Sequence, residues 1–272
     1  QPLRVKKHLT INLGGIEEGD FTFVMGFPGR NWRYMISDEV EERMKTTNFM
    51  RDTVRGVRLR ALNKEMMKSA KTRIQYASKY AGSANYWKNA IGMNEGLVRL
   101  KVLDTKRKQQ EELLAYGEQS GNGEFRKAYE SIKDIVAKRF DAVYHQQAIL
   151  EALMQGTEFS KVPETDKLHK ALLAKDREAV KASLEQLKQD FEKFFNKDYD
   201  PEVDRKVSKE MLSLYARLVP AAQHISIFGS IRQKFGGSTS DFVDACFDKS
   251  IFSSKEAFAK FVKRPSAAAL EK

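Results

Sequence analysis

Helix-breaking residues are scarce in this sequence: its 272 residues include only 6 prolines and 16 glycines. A proline inside a helix costs about 3 kcal/mol, and an interior glycine costs about 1 kcal/mol relative to alanine. A long chain with so few of both is typical of packed helices, and it is long enough to bury a substantial core. The composition therefore predicts a mainly α fold built from long antiparallel helices.

Cysteine and long apolar runs are equally limited. The single cysteine, Cys246, excludes an internal disulfide, and its neighbours Phe242 and Phe247 indicate a small buried residue. No run approaches the roughly 20 apolar residues that cross a bilayer, so we expect no membrane partner. The first residues, Gln1 to Arg4, include neither an initiator methionine nor an apolar signal core. We therefore expect a longer protein around this chain, whose compartment stays open at this point.

Basic residues outnumber acidic ones, 48 to 37, which gives a formal net charge of +11. Such an excess can indicate binding to nucleic acid. Acids and bases alternate along most of the chain, however, and the densest basic run, 106–108, is followed by Glu111 and Glu112. This alternation favours solvated helix faces, so we expect no nucleic-acid partner.

The first thirty residues have a different period. Residues 8–13 alternate apolar and polar side chains, residues 20–25 contain a second apolar run, and the sequence GFPG at 26–29 is typical of a turn. This pattern predicts a short N-terminal β-hairpin-like fragment. Two strands alone are marginally stable, so we expect the fragment to be the edge of a larger β domain.

Helical periodicity covers the remainder. It predicts a near-continuous helix from Ser37 or Asp38 to about Tyr80, with an interruption at Gly82 and Ser83, and a helix from Phe125 to Met154 about 45 Å long. Further along, Asp200 precedes Pro201 in the manner of an N-cap and a first helical residue. A capping box at Ser253 and Glu256 predicts a last short helix.

One amphipathic stripe deserves separate mention because it could face a partner. Its residues recur every three or four positions, as on one face of a helix. They are Val180, Leu184, Leu187, Phe191 and Phe194.

Catalytic and metal-binding patterns are not recognisable. The four histidines, at positions 8, 145, 169 and 224, have no other ligand at a metal-binding spacing. Ser238 lies in the glycine-rich run GGST but lacks the Gly-x-Ser-x-Gly pattern of a nucleophile, and it is interpreted as a loop serine. We therefore predict no catalytic residue, no metal site and no cofactor in this chain.

The segment 83–89 is the most unusual local cluster, with the sequence SANYWKN. Asn85 and Asn89 are four residues apart, hence on one helix face, beside Tyr86 and Trp87. One interpretation is a helix cap with two core aromatic residues. The other is a polar ligand-binding edge, since an asparagine carbonyl accepts hydrogen bonds from an ammonium group. The residues alone leave both open.

Two segments together resemble one known family. Residues 19–30, GDFTFVMGFPGR, followed by Arg33 and Tyr34, are similar to the junction at which bacterial dipeptidyl aminopeptidase BII-type enzymes leave their catalytic barrel. Residues 84–97, with the sequence ANYWKN near their start and NEGL at their end, are similar to a second signature of the same serine dipeptidyl peptidase family.

The resemblance implies a chymotrypsin-like double β-barrel with a helical domain inserted between its halves. Residues 1–30 would be the edge of the barrel, and residues 31–272 the helical insertion domain. The catalytic His and Asp would precede Gln1, and the Ser would follow Lys272. Whether this chain is itself an enzyme is therefore uncertain, while the whole protein would be a serine dipeptidyl peptidase.

The resemblance also implies a function for the helical part. It would gate the substrate cleft so that only N-terminal dipeptides are removed, with Asn85 binding the substrate α-amino group and Trp87 and Asn89 supporting Asn85. The implied partners are the N-terminus of a peptide and the catalytic β-barrel of the same protein, with a homodimer as one option. The implied location is the periplasm or the cell surface. The alternatives left open are a basic nucleic-acid-binding module and a helical scaffold that uses the 180–194 stripe as a partner groove.

Overall fold

The structure is a computed structural model that describes residues 4, 6–23, 25–26 and 32–271. The contacts within the chain divide it into two units, Gln1–Tyr34 and Met35–Lys272.

The described residues of the first unit contain no β-strand. The apolar side chains of the predicted strands are instead exposed, including Leu9, Ile11 and Leu13. The predicted β-hairpin-like fragment is thus not formed among residues 6–23 and 25–26. The physical reason is that two short strands without a neighbouring sheet have nothing against which to bury their apolar faces. The predicted turn at 26–29 lies mostly outside the described residues.

The second unit is helical, as the composition predicts. Its α-helices are α1 (Ser37–Arg43), α2 (Phe49–Met66), α3 (Ala70–Arg99), α4 (Val102–Gln119), α5 (Glu124–Ala148), α6 (Asp166–Ala174), α7 (Arg177–Phe194), α8 (Pro201–Leu218), α9 (Ile227–Phe235), α10 (Thr239–Lys249), α11 (Lys255–Lys263) and α12 (Ala267–Leu270). None of the helices that the structure describes is both long and apolar enough to cross a membrane.

Two π-helical segments connect helices of this unit. Met44–Asn48 joins α1 to α2, and Ile149–Met154 continues α5. The helix predicted from Phe125 to Met154 is confirmed as the continuous run of α5 and its π segment. The N-cap at Asp200 is also confirmed, because its carboxylate accepts hydrogen bonds from the amides of Glu202 and Val203.

The predicted interruption at Gly82 and Ser83 is wrong. The chain breaks earlier, at 67–69, where the hydroxyl of Ser69 caps α3 by accepting a hydrogen bond from the amide of Thr72. A glycine inside a helix costs only about 1 kcal/mol, which the long packing of α3 against α2 outweighs. Gly82 and Ser83 are therefore interior residues of a 30-residue helix.

Two hydrophobic clusters stabilise the second unit. The larger cluster lies between α2, α3, α8, α9 and α10, with Met50, Tyr76 and Met211 fully buried. The smaller cluster gathers α6, α7 and α11 around Phe191, Phe252 and Phe258. The 180–194 stripe is part of this second cluster, so its apolar face is covered within the chain and offers no free partner groove.

Candidate functional site

Helix α3 positions the three residues singled out in the sequence. Asn85 and Asn89 share an exposed face of the helix, and neither side chain makes a hydrogen bond within the described part of the chain. An exposed asparagine in mid-helix contributes little to helix stability. The cap interpretation is therefore wrong for Asn85, which lies fifteen residues inside α3.

Trp87 points to the other side, against α2. Its indole Nε1 donates a hydrogen bond to Oδ1 of Asp52 at 3.0 Å. Gly56 lies beneath the same ring: a Cβ at this position would approach Nε1 to 3.1 Å. Trp87 thus fixes the position of α3 on α2, rather than contacting Asn85 in a shared cluster.

Tyr86 lies between two arginines of α2. The guanidinium carbons of Arg51 and Arg55 are 5.3 and 4.7 Å from its ring centroid, within the range of a cation–π interaction. Both arginines also bind the carboxylate of Glu151, with nitrogen–oxygen distances of 3.2 and 2.7 Å. Glu151 is 2% exposed, so its charge is buried and compensated by these two arginines.

This buried ion pair was missed in the sequence, although a signal existed. Arg51, Arg55 and Arg58 recur at spacings of four and three, which places them on one face of α2. Glu151 is the single acid within the apolar run 148–153. An acid in such a run needs a basic partner if it is buried.

The first π segment is held by a residue from the second family-like signature. Asn94 of α3 accepts a hydrogen bond from Asn48 at 2.7 Å and donates one to the carbonyl of Met44 at 3.3 Å. The amide of Asn94 thereby partners a carbonyl in the π segment, where the regular helical pattern is interrupted. Asn94 is a positioning residue for the α1–α2 junction.

The remaining candidates from the sequence have structural surroundings. His145 bonds to the hydroxyl of Tyr215 at 2.8 Å, and His224 to the carbonyl of Val219 at 2.9 Å. Ser238, interpreted as a loop serine, caps α10 by accepting a hydrogen bond from the amide of Asp241. Burial raises the pKa of the Cys246 thiol, which is partly buried against the larger cluster. Among the described residues, no group of His, Cys, Asp and Glu is arranged to hold a metal ion.

A second buried carboxylate lies behind α2. Asp204 is 2% exposed and accepts hydrogen bonds from the amide of Glu158 and from the hydroxyls of Tyr199 and Ser208. Burial raises its pKa to about 6, although these hydrogen bonds act in the opposite direction. Burial also lowers the pKa of the nearby Arg58.

Comparison with known proteins gives one consistent family. The family model described as Peptidase S46 matches residues 1–272. A dipeptidyl-peptidase 7 from Phocaeicola vulgatus is 45% identical over 273 residues, which cover 100% of this chain and 38% of the relative. An Asp/Glu-specific dipeptidyl-peptidase from Porphyromonas gingivalis is 34% identical over 266 residues, covering 97% of this chain and 37% of the relative.

Solved structures agree with the sequence comparisons. The crystal structure of Porphyromonas endodontalis DPP11 in complex with the dipeptide Arg-Glu superposes with a TM-score of 0.87 and 35% identity. The match covers 97% of this chain and 38% of that one. This chain therefore spans less than two fifths of the length of the relatives it matches. Its helical fold is that of the corresponding part of these enzymes, and the chain belongs to the peptidase S46 family.

Proposed function

We propose that this chain is the helical part of a serine dipeptidyl peptidase, in which it limits the substrate cleft to the N-terminal dipeptide of a peptide and binds its α-amino group through Asn85. The observation that carries the proposal is the match over the whole chain to Peptidase S46 and to a related enzyme solved with a dipeptide. The catalytic step itself would be performed by residues outside this chain.

The surroundings of Asn85 support the assignment. Its side chain is exposed and makes no hydrogen bond within the described residues, so its carbonyl oxygen is available to a ligand. A free ammonium group has three donors and needs such acceptors. Asn85 also lies within the 30-residue helix α3, and a rigid element positions a ligand more precisely than a loop does.

Trp87 and Asn89 support this site in different ways. Trp87 holds α3 against α2 through Asp52, so it would fix the position of Asn85 through the helix. Asn89 lies one turn further along the same exposed face, where it can present a second amide to the substrate.

Asn85→Ala in the full-length protein tests the proposal. We expect kcat/KM for dipeptidyl substrates to fall by about 1.5–3 kcal/mol in transition-state terms, the scale of a hydrogen bond to a charged group. The measurement is steady-state hydrolysis of dipeptidyl substrates with a chromogenic leaving group.

A matched control is Asn63→Ala, which removes another exposed helical asparagine, on α2. This variant should keep the kinetics of the unmodified protein. Unchanged kinetics in a correctly folded Asn85→Ala variant would remove Asn85 from the site.

The same proposal includes a setting for the chain. Its partners would be peptide N-termini and the catalytic β-barrel of the same protein, which could assemble as a homodimer. A periplasmic or cell-surface location would bring such an enzyme into contact with external peptides, and fractionation of the cells that produce it would test this location.

A further inference from the structure

A basic cavity lies between α2, α3 and the π segment after α5. Its volume is about 380 Å³, and five cationic side chains line it: Arg51, Arg55, Arg58, Lys79 and Lys161. The carboxylates close to these cations belong to Glu151, Glu158 and Asp204. Five positive charges face three negative ones, so the cavity keeps an excess of positive charge.

The three arginines use only part of their hydrogen-bonding capacity. Arg51 and Arg55 each donate from Nε to Glu151, and Arg58 donates from Nε to the carbonyl of Gly156 at 3.0 Å. Within the described residues, none of their terminal nitrogens makes a hydrogen bond. A guanidinium group has five N–H donors, and its terminal pair matches the geometry of a carboxylate or phosphate. The arrangement leaves these donors available at the cavity.

A buried hydroxyl lies at the same place. Ser83 of α3 lines the cavity, is 4% exposed, and its Oγ has no hydrogen-bond partner. A buried polar group without a partner costs free energy, commonly about 1–3 kcal/mol. Such a group beside a cluster of cations indicates that its partner is a ligand. Tyr86 completes the wall and holds two of the arginines against its ring.

We propose that this cavity binds an oxyanion, with the guanidinium groups of α2 as charged donors and the hydroxyl of Ser83 as a neutral donor. The ligand is a group with at least two acceptor oxygens. Its source is either phosphate in solution or the carboxylate of an acidic side chain. This site is separate in chemistry from Asn85, which is proposed to accept hydrogen bonds from a cation.

Calorimetric titration of the protein with inorganic phosphate, and separately with N-acetyl-glutamate amide, tests the proposal at low ionic strength. Saturable binding of phosphate identifies a free anion as the ligand, and binding of the carboxylate probe alone identifies an acidic side chain. Ser83→Ala removes a hydroxyl that has no partner in the chain, so the variant should fold, and it should weaken binding about tenfold. Lys161→Gln removes an exposed cation from the rim and should weaken binding about two- to fivefold.

Lys133→Gln is the matched control, because it removes an exposed lysine on α5 that does not line the cavity. It should leave the affinity unchanged within the general effect of one charge. The proposal is overturned if neither probe binds saturably, or if Ser83→Ala and Lys161→Gln bind the probes as tightly as Lys133→Gln does.

Discussion

Glycines 156 and 82 differ in the space that surrounds them. At Gly156, a Cβ would lie 2.2 Å from the carbonyl oxygen of Ala152, and the carbonyl of Gly156 itself accepts the hydrogen bond from Arg58. At Gly82, in mid-α3, a Cβ would meet nothing within 4 Å. The first glycine is therefore required by backbone packing, whereas the second is required by neither packing nor helix geometry.

This difference predicts opposite effects of the same substitution. Gly156→Ala should lower the free energy of unfolding by about 1–3 kcal/mol or more, because backbone atoms must move. Gly82→Ala should raise it by about 0.5–1 kcal/mol, because alanine is the better helix former. Urea denaturation followed by circular dichroism measures both. A stable Gly156→Ala variant would contradict the packing described for residues 151–156.

The carboxyl group of Asp204 makes stability depend on pH. Its pKa is raised to about 6, so the folded state binds a proton more tightly than the unfolded state does. Its contribution should therefore decrease as pH rises from about 4 to about 6, by about 3 kcal/mol for a shift of two units. Other carboxylates act in the opposite direction, such as Asp244, whose pKa is lowered by Lys209.

The comparison with Asp204→Asn isolates this effect. The difference in unfolding free energy between the two proteins should change across pH 4–6 in favour of the variant at the higher pH. A difference that stays constant with pH would show that Asp204 does not titrate in this range.

At the scale of helices, the sequence predicts long periodic interiors well and predicts short-range competition poorly. The run from Phe125 to Met154 and the cap at Asp200 are both found, because an apolar stripe and a carboxylate before a proline each act locally. The break at Gly82 is not found, because contacts of α3 with α2 outweigh the preference of one glycine. The buried Glu151 depends on arginines about a hundred residues away, which local periodicity does not reveal.

The last predicted capping box is displaced by one residue. Ser254, and not Ser253, accepts the hydrogen bond from the amide of Ala257 at the start of α11. Removing an N-cap hydroxyl costs about 0.5–2 kcal/mol. Ser254→Ala should therefore lower stability by that amount, while Ser253→Ala should change it little. Equal losses in thermal denaturation of the two variants would contradict the observed cap.

At the scale of the whole molecule, the candidate site was predictable mainly through resemblance. The exposure of Asn85 agrees with a ligand-binding role, but chemistry alone left it equal to a helix cap. Trp87 was expected beside Asn85, and the structure instead attaches it to Asp52 on α2. The basic cavity went unnoticed because its cations come from α2, α3 and the segment after α5, which only the folded chain brings together.

The central claim is that Asn85 receives the α-amino group of a peptide substrate. A crystal structure of the full-length protein with a bound dipeptide tests it most directly. The account predicts the substrate nitrogen at roughly 2.7–3.2 Å from Oδ1 of Asn85. A dipeptide whose amino group is bound by other residues, with Asn85 facing solvent, would contradict it.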